Sequence, residues 1–102
     1  MTPEGLIGRS VEFVYADETY LIEIVDGETL RWTRTRGESV GTTDIERYVW
    51  SAIGDHRSMI TWIEASGLGL SSVIDLHTGT LTTHANTDRD VFVNTGAVRQ
   101  IG

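Results

Sequence analysis

The chain has 102 residues, no cysteine and no lysine, and a formal net charge of −7. This length predicts a single domain spanning residues 1–102, and the missing cysteine excludes disulfides, thiolate metal ligands and cysteine nucleophiles. The negative charge argues against nucleic-acid binding, which depends on neutralising phosphates with basic side chains.

Turn signals recur at nearly even spacing and separate short runs that are rich in β-branched and aromatic residues. Such spacing, about 8–12 residues per strand, is typical of all-β sandwiches and barrels. In chain order the predicted strands are 8–15, 20–26, 29–35, 43–53, 57–65, 69–76, 80–86 and 90–94, with a last pairing segment at 97–101. Only 43–53 is ambiguous, because its apolar residues would also suit a short helix, but its β-branched and aromatic content favours a strand.

Tight turns between consecutive strands predict an antiparallel, up-and-down meander of about eight to nine strands. Closing this meander into a β-barrel removes its exposed edges. A barrel of that strand number encloses space for side chains and for one small ligand. The sequence therefore predicts an all-β barrel with a small internal cavity.

Alternation along each strand predicts which side chains point into the barrel. The predicted inner faces of five strands are Val11-Phe13-Tyr15, Tyr20-Ile22-Ile24, Leu30-Trp32-Arg34, Ile60-Trp62-Glu64 and Leu81-Thr83-Ala85.

Two of these faces end in a charged residue that directly follows an inward tryptophan: Arg34 and Glu64. A buried, unpaired charge costs several kcal/mol. Either both residues reach solvent at the barrel rim, or they form a polar end of the cavity and meet a ligand or each other.

The inward face of the fourth strand is left open by the sequence. If Tyr48 and Trp50 point inward, they either add an aromatic wall to the cavity or pack as ordinary core. In the second case the tyrosine hydroxyl would bond to a backbone carbonyl.

The segments GRSVEFVYADETYLIEIVDGETLRW (8–32) and ITWIEASGLGLSSVIDLHTGTL (60–81) resemble the MoaF-like proteins and, more distantly, the phenolic acid decarboxylases. The resemblance covers residues 7–86 and includes a W-x-E-x-x-G motif at Trp62, Glu64 and Gly67. Both families are calycin, lipocalin-like β-barrels, so the resemblance implies that fold. It implies little about function, because the MoaF-like proteins share no established reaction.

The decarboxylases are understood to hold a substrate carboxylate with two tyrosines of the first strand and an arginine, while a glutamate serves the phenol end. Glu64 and Tyr15 match two of these positions. The other tyrosine position is Phe13, and the arginine position falls near Gly41, with no arginine within two residues. The resemblance therefore argues against phenolic acid decarboxylation.

No motif for a phosphate, a dinucleotide or a nucleophilic serine occurs in the chain, and no cofactor is predicted. The three histidines, His56, His77 and His84, fall on turns and on an outer strand face. We therefore predict no metal site.

Besides a purely structural or oligomerising module, two functions fit these observations. The first is binding of a small apolar or aromatic ligand inside the barrel, and its predicted ligand-binding residues are Tyr20, Trp32, Arg34, Tyr48 and Trp62. The second is a cofactor-independent isomerase, cyclase or decarboxylase of specialised metabolism. Its general acid/base would be Glu64, and Tyr15 or Tyr48 would donate to a developing oxyanion.

The environment and assembly of the protein are also expectations at this stage. No signal peptide is visible and no run approaches the length of about 20 apolar residues that a membrane span needs, so we expect a cytoplasmic protein without a membrane partner. The outer face of 57–65 is more apolar than a monomer needs, which makes a homodimer plausible.

Overall fold

A computed structural model describes residues 5–102 of the chain. These residues form eight antiparallel strands closed into a barrel in chain order, as predicted. The strands are β1 Ser10–Val14, β2 Thr19–Ile24, β3 Thr29–Arg36, β4 Thr43–Gly54, β5 Arg57–Ile63, β6 Gly69–Asp75, β7 Thr80–Asn86 and β8 Val91–Gln100. Each strand pairs with the next one in the chain, and β8 pairs back with β1 to close the barrel.

The last two predicted segments are one strand in the structure, so the barrel has eight strands, within the predicted range of eight to nine. The Asn-Thr-Gly sequence at 94–96 suggested a turn, but these residues pair with β7. The register runs without interruption from Asn86↔Val91 to Thr80↔Ala97. Continuous pairing with the neighbouring strand outweighs the local turn preference.

The ambiguous fourth segment is the longest strand of the barrel. Residues 43–47 of β4 pair with β3, and residues 48–54 pair with β5. The strand thus joins two hairpins along its length, and the pairing on both sides excludes the alternative helix. Within residues 5–102 no helix is long and apolar enough to cross a membrane.

The predicted inner faces of the five strands are confirmed by their burial. Residues of these faces are buried or partly buried, and all of them except Tyr20, which follows the buried Thr19, have at least one more exposed neighbour. On β4 the inward side carries Glu46, Tyr48 and Trp50, of which Glu46 and Tyr48 are buried.

The two ends of the barrel differ in how they are filled. At one end Leu6 is buried beside Ile24, Ile74 and Leu81, and each of these four is at most 2% exposed. We call the opposite end, formed by the β1–β2, β3–β4, β5–β6 and β7–β8 connections, the mouth. Packing at the filled end leaves the open space of the barrel interior near the mouth.

Two turns at the filled end are held by aspartates. Asp26 Oδ1 accepts hydrogen bonds from the backbone N–H groups of Glu28 and Thr29, both at 2.8 Å. Asp75 Oδ1 accepts from the backbone N–H groups of His77 and Thr78 in the same way. These backbone donors favour the ionised form, so the pKa of each aspartate lies below its ordinary value.

Candidate functional site

The barrel interior holds a cavity of about 280 Å³ that opens at the mouth. Apolar cavities of about 150 Å³ bind benzene, and ligand pockets start at about 300 Å³, so this cavity matches one small molecule. Its walls are formed by Phe13, Tyr15, Glu18, Tyr20, Ile22, Trp32, Arg34, Trp62, Glu64, Leu68, Leu70, Ser72, Thr83, Ala85, Phe92 and Asn94.

Three aromatic rings form one side of the cavity in a chain of edge-to-face contacts. The ring centroids of Tyr15 and Tyr20 are 6.2 Å apart, and those of Tyr20 and Trp32 are 6.0 Å apart. Both distances lie within the favoured range for aromatic pairs. Because each ring fixes the orientation of the next, this wall presents a stiff apolar surface to a ligand.

Three hydroxyl groups lie at the buried end of the cavity, which we call the hydroxyl chain: Tyr15, Thr83 and Ser72. The Thr83 hydroxyl oxygen lies 2.6 Å from that of Tyr15 and 2.9 Å from that of Ser72. All three side chains are buried. Burial raises the pKa of the Tyr15 phenol, and the neighbouring hydroxyl groups of Thr83 and Ser72 only partly oppose this, so the phenol keeps its proton at neutral pH.

Arg34 lies at the mouth, where it is already engaged by the protein. Its guanidinium stacks on the ring of Tyr20 at 5.3 Å and donates to the Tyr20 hydroxyl from two nitrogens, at 3.0 and 3.3 Å. It also donates to the carbonyl of Glu38 at 2.9 Å and lies 4.0 Å from the carboxylate of Glu18. Arg34 therefore closes the β3–β4 connection and orients Tyr20.

Glu64 is a carboxylate that lines the cavity at the mouth. Its Oε2 accepts a hydrogen bond of 3.3 Å from the indole N–H of Trp62, and no hydrogen bond from residues 5–102 reaches Oε1. Burial raises the pKa of Glu64 and the nearby Glu46 adds to this, while the Trp62 hydrogen bond and the charge of Arg34 act in the opposite direction. Glu64 thus offers the cavity an oxygen that can accept a hydrogen bond or, when protonated, donate one.

The sequence left two alternatives for Arg34 and Glu64, exposure to solvent at the rim or a place in the polar end of the cavity. The structure combines features of both. Both side chains line the cavity and both reach solvent at its mouth. They do not form an ion pair within 4.0 Å in the described part of the chain, although their charges influence each other.

Glu46 is a buried carboxylate that the sequence did not reveal as part of this region. It is 8% exposed and accepts a hydrogen bond of 3.0 Å from the indole N–H of Trp32. The same arrangement recurs between Trp62 and Glu64, so both tryptophans of the cavity wall are oriented by a glutamate. The signal that could have located Glu46 is its position two residues before Tyr48 on the same face of β4.

Tyr48 is the one predicted site residue that does not line the cavity. It is 5% exposed, and its hydroxyl donates to the backbone carbonyl of Asp26 at 2.6 Å, at the filled end of the barrel. This contact matches the alternative in which Tyr48 is ordinary core. The structure brings the other six predicted residues together around the cavity: Tyr15, Tyr20, Trp32, Arg34, Trp62 and Glu64.

Metal ligation finds no support in the side chains of residues 5–102. No group of three or more histidine, aspartate or glutamate side chains among them could hold a metal ion. His56 and His77 stack on each other at the filled end, with ring centroids 4.7 Å apart.

Comparisons with known proteins place the chain beside other barrels of this type. The model of the MoaF-like family matches residues 7–99. A crystal structure from Burkholderia vietnamiensis, described as a "putative beta-lactamase", is 26% identical and superposes with a TM-score of 0.86. The match covers 94% of this chain and 95% of that one. No curated protein matches the chain.

Proposed function

Because the chain belongs to the MoaF-like family and closes around a cavity lined by aromatic rings, we propose that it binds one small, largely apolar molecule inside the barrel. The observation that carries the proposal is the cavity of about 280 Å³ in a barrel whose other end is filled by side chains. Small-molecule sites combine an apolar wall with a few polar anchors. Here the rings of Tyr20, Trp32 and Trp62 supply the wall, and Glu64 supplies an anchor at the mouth.

Thermal unfolding in the presence of single-ring and two-ring aromatic compounds tests this function. A ligand at 100 times its Kd stabilises the folded state by about 2.7 kcal/mol, which corresponds to a rise in Tm of about 10–20 °C for a domain of this size. We expect at least one apolar aromatic compound to raise the Tm in a concentration-dependent way.

A variant that fills the cavity separates internal binding from binding at the surface. Ala85 is 3% exposed and lines the cavity, so Ala85→Leu should occupy the space and abolish the ligand-induced rise in Tm. Ala52 is exposed and lies outside the cavity, and Ala52→Leu is the matched control. An unchanged ligand response in Ala85→Leu would contradict binding inside the barrel.

Catalysis without a cofactor is the second candidate function, and the environment of Glu64 favours it. Burial raises the pKa of Glu64, and this moves a carboxyl group towards the range in which a general acid or base works best. We propose Glu64 as the general acid/base and the Tyr15 phenol as the donor to a developing oxyanion. Removing a general base lowers rates by about 10²–10⁴-fold.

Proton exchange provides an assay for this second function without a known substrate. An isomerase of this type removes a proton from carbon beside a carbonyl group, so the protein in D₂O should exchange the methyl protons of bound 2-acetylnaphthalene for deuterium. NMR would follow the loss of the methyl signal. Glu64→Gln should abolish the exchange without lowering the Tm, and exchange at the wild-type rate in this variant would rule out the role of Glu64.

The mechanism of the class A serine β-lactamases does not extend to this chain. The serine β-lactamases of class A use a Ser-x-x-Lys motif. This chain contains no lysine, so it lacks that motif.

A further inference from the structure

The hydroxyl chain lies at the buried end of the cavity. It contains three hydroxyl protons, and the hydrogen bonds within the chain account for only two of them. Its three oxygens come from Tyr15, which follows β1, from Ser72 on β6 and from Thr83 on β7. Two hydrogen bonds link them, with Thr83 in the middle. Within residues 5–102 no other hydrogen bond reaches these three hydroxyls.

Counting protons shows why one donor is left over. A hydroxyl group carries one proton and can donate one hydrogen bond. Three hydroxyls therefore supply three protons, and the two bonds between them use two. If the chain runs from tyrosine to serine, the Ser72 proton is free; in the opposite direction the Tyr15 proton is free; if both ends donate to Thr83, the Thr83 proton is free.

None of the three hydroxyl groups is directly exposed to bulk solvent, because all three side chains are buried. Ser72 is 1% exposed, Thr83 is 3% exposed and Tyr15 is 8% exposed. A buried donor without an acceptor costs free energy comparable to a lost hydrogen bond. All three side chains line the cavity, so an acceptor inside the cavity can accept a hydrogen bond from this hydroxyl group.

We propose that the hydroxyl chain donates one hydrogen bond to the carbonyl oxygen of a neutral ligand, so that the ligand class is a small apolar ketone, aldehyde or ester that enters carbonyl end first. This inference rests on the proposed binding function and specifies its ligand.

Charge favours a neutral acceptor over a carboxylate at this position. The hydroxyl chain carries no cation, and one donor does not offset the desolvation of an anion. The arginine that lines the cavity, Arg34, is held at the mouth by Tyr20 and Glu38. Glu18 and Glu64 at the same mouth repel a negative ligand. A carbonyl oxygen needs one donor and no counter-charge.

The proton count also determines which variants test the proposal. Removing one end of the chain, as in Tyr15→Phe, leaves two hydroxyls, one bond and again one free proton. Only the triple variant Tyr15→Phe/Ser72→Ala/Thr83→Val removes the donor. This variant should fold, because replacing all partners of a hydrogen-bonded group by apolar groups of similar shape is nearly neutral.

Two probes of nearly equal shape isolate the hydrogen bond. The ketone 2-acetylnaphthalene carries a carbonyl oxygen where 2-isopropenylnaphthalene carries a methylene group. We expect the wild-type protein to bind the ketone about tenfold more tightly, the ratio that one net hydrogen bond gives. The infrared carbonyl stretch of the bound ketone should lie at a lower frequency than in an aprotic solvent.

The triple variant should bind both probes with equal affinity and return the carbonyl stretch to its aprotic frequency. The matched control is Thr61→Val/Ser71→Ala, which removes a hydroxyl pair linked at 3.1 Å between β5 and β6, outside the cavity wall. This control should keep the tenfold preference. Circular dichroism and the Tm establish that both variants are folded.

The outcomes separate this inference from the proposed function. Equal affinity of the wild-type protein for both probes would overturn the carbonyl site while leaving internal binding intact. So would a triple variant that is folded and keeps the preference for the ketone. Binding of neither probe to the wild-type protein would overturn the inference together with its premise.

Discussion

The two tryptophans of the cavity wall should differ in what their indole N–H groups contribute to stability. Trp32 donates to the buried Glu46 at 3.0 Å, whereas Trp62 donates to the partly exposed Glu64 at 3.3 Å. Both rings are nearly buried, at 9% and 5% exposure. Replacing each by phenylalanine removes the donor and a similar part of the ring, so the effects of lost ring volume largely cancel in the comparison.

The expected difference in stability follows from how exposed each carboxylate is to water once its indole donor is removed. Trp32→Phe removes the hydrogen bond of a buried acid, and a bond to a charged group contributes about 1.5–3 kcal/mol. Trp62→Phe removes a long bond to a carboxylate that water can reach, and we expect about 0.5 kcal/mol for it. Trp32→Phe should therefore be less stable than Trp62→Phe by about 1–2.5 kcal/mol, or about 4–20 °C in Tm.

Urea denaturation and thermal unfolding of both variants measure this difference, and a third variant identifies its cause. Adding Glu46→Gln to Trp32→Phe removes the unpaired charge and should recover part of the lost stability. Equal destabilisation by the two single substitutions, or no recovery in the double variant, would refute the assignment of the cost to Glu46.

Three further predictions concern the barrel seam, the acid at the mouth and the outer surface. A Cβ atom on Gly96 would overlap the backbone carbonyl oxygen of Val14, so Gly96→Ala should lower the unfolding free energy by about 1–3 kcal/mol in urea denaturation. The control is Gly69→Ala, whose Cβ atom would contact only the side-chain end of Asn86. It should cost less than half as much in the same assay. Because the pKa of Glu64 is raised on folding, the folded protein holds this proton at a pH where the unfolded chain has lost it, and the contribution of Glu64 to stability falls as the pH rises above its ordinary value of 4.5. Glu64→Gln should match the wild type below that pH and exceed it at neutral pH, and a pH series of Tm values that shows the reverse order would contradict this. The homodimer expected from the outer face of β5 should appear in sedimentation velocity and be lost in Ile63→Arg, since Ile63 is 69% exposed; a wild-type monomer would end that expectation.

The barrel and its inner faces could be predicted because both depend on local patterns. Turn residues mark the strand ends, and alternation assigns each side chain to one face of the sheet. The prediction failed where pairing outweighs a local signal. Residues 94–96 have the composition of a turn, yet they continue β8 because β7 offers hydrogen bonds along its whole length.

The site could be predicted only in part, since alternation gives the face of a side chain but not its height in the barrel. Tyr48 points inward as one alternative had it, but it contacts Asp26 at the filled end. The meeting of Tyr15 with Ser72 and Thr83 depends on the relative register of three strands, β1, β6 and β7. The sequence contains no signal for that register, because it is set by pairing around the whole barrel.

The seam between β1 and β8 is incomplete near the mouth, and this decides which strand pairing holds the cavity wall there. Pairing with β1 starts at Ala97, so within the described residues 91–95 have a strand partner on one side only, β7. Phe92 belongs to this half-paired stretch and lines the cavity while 51% exposed. The cavity wall beside Phe92 therefore depends on the β7 pairing alone, so substitutions that weaken the β7–β8 ladder would open the barrel here before they disturb the pairing between β1 and β8.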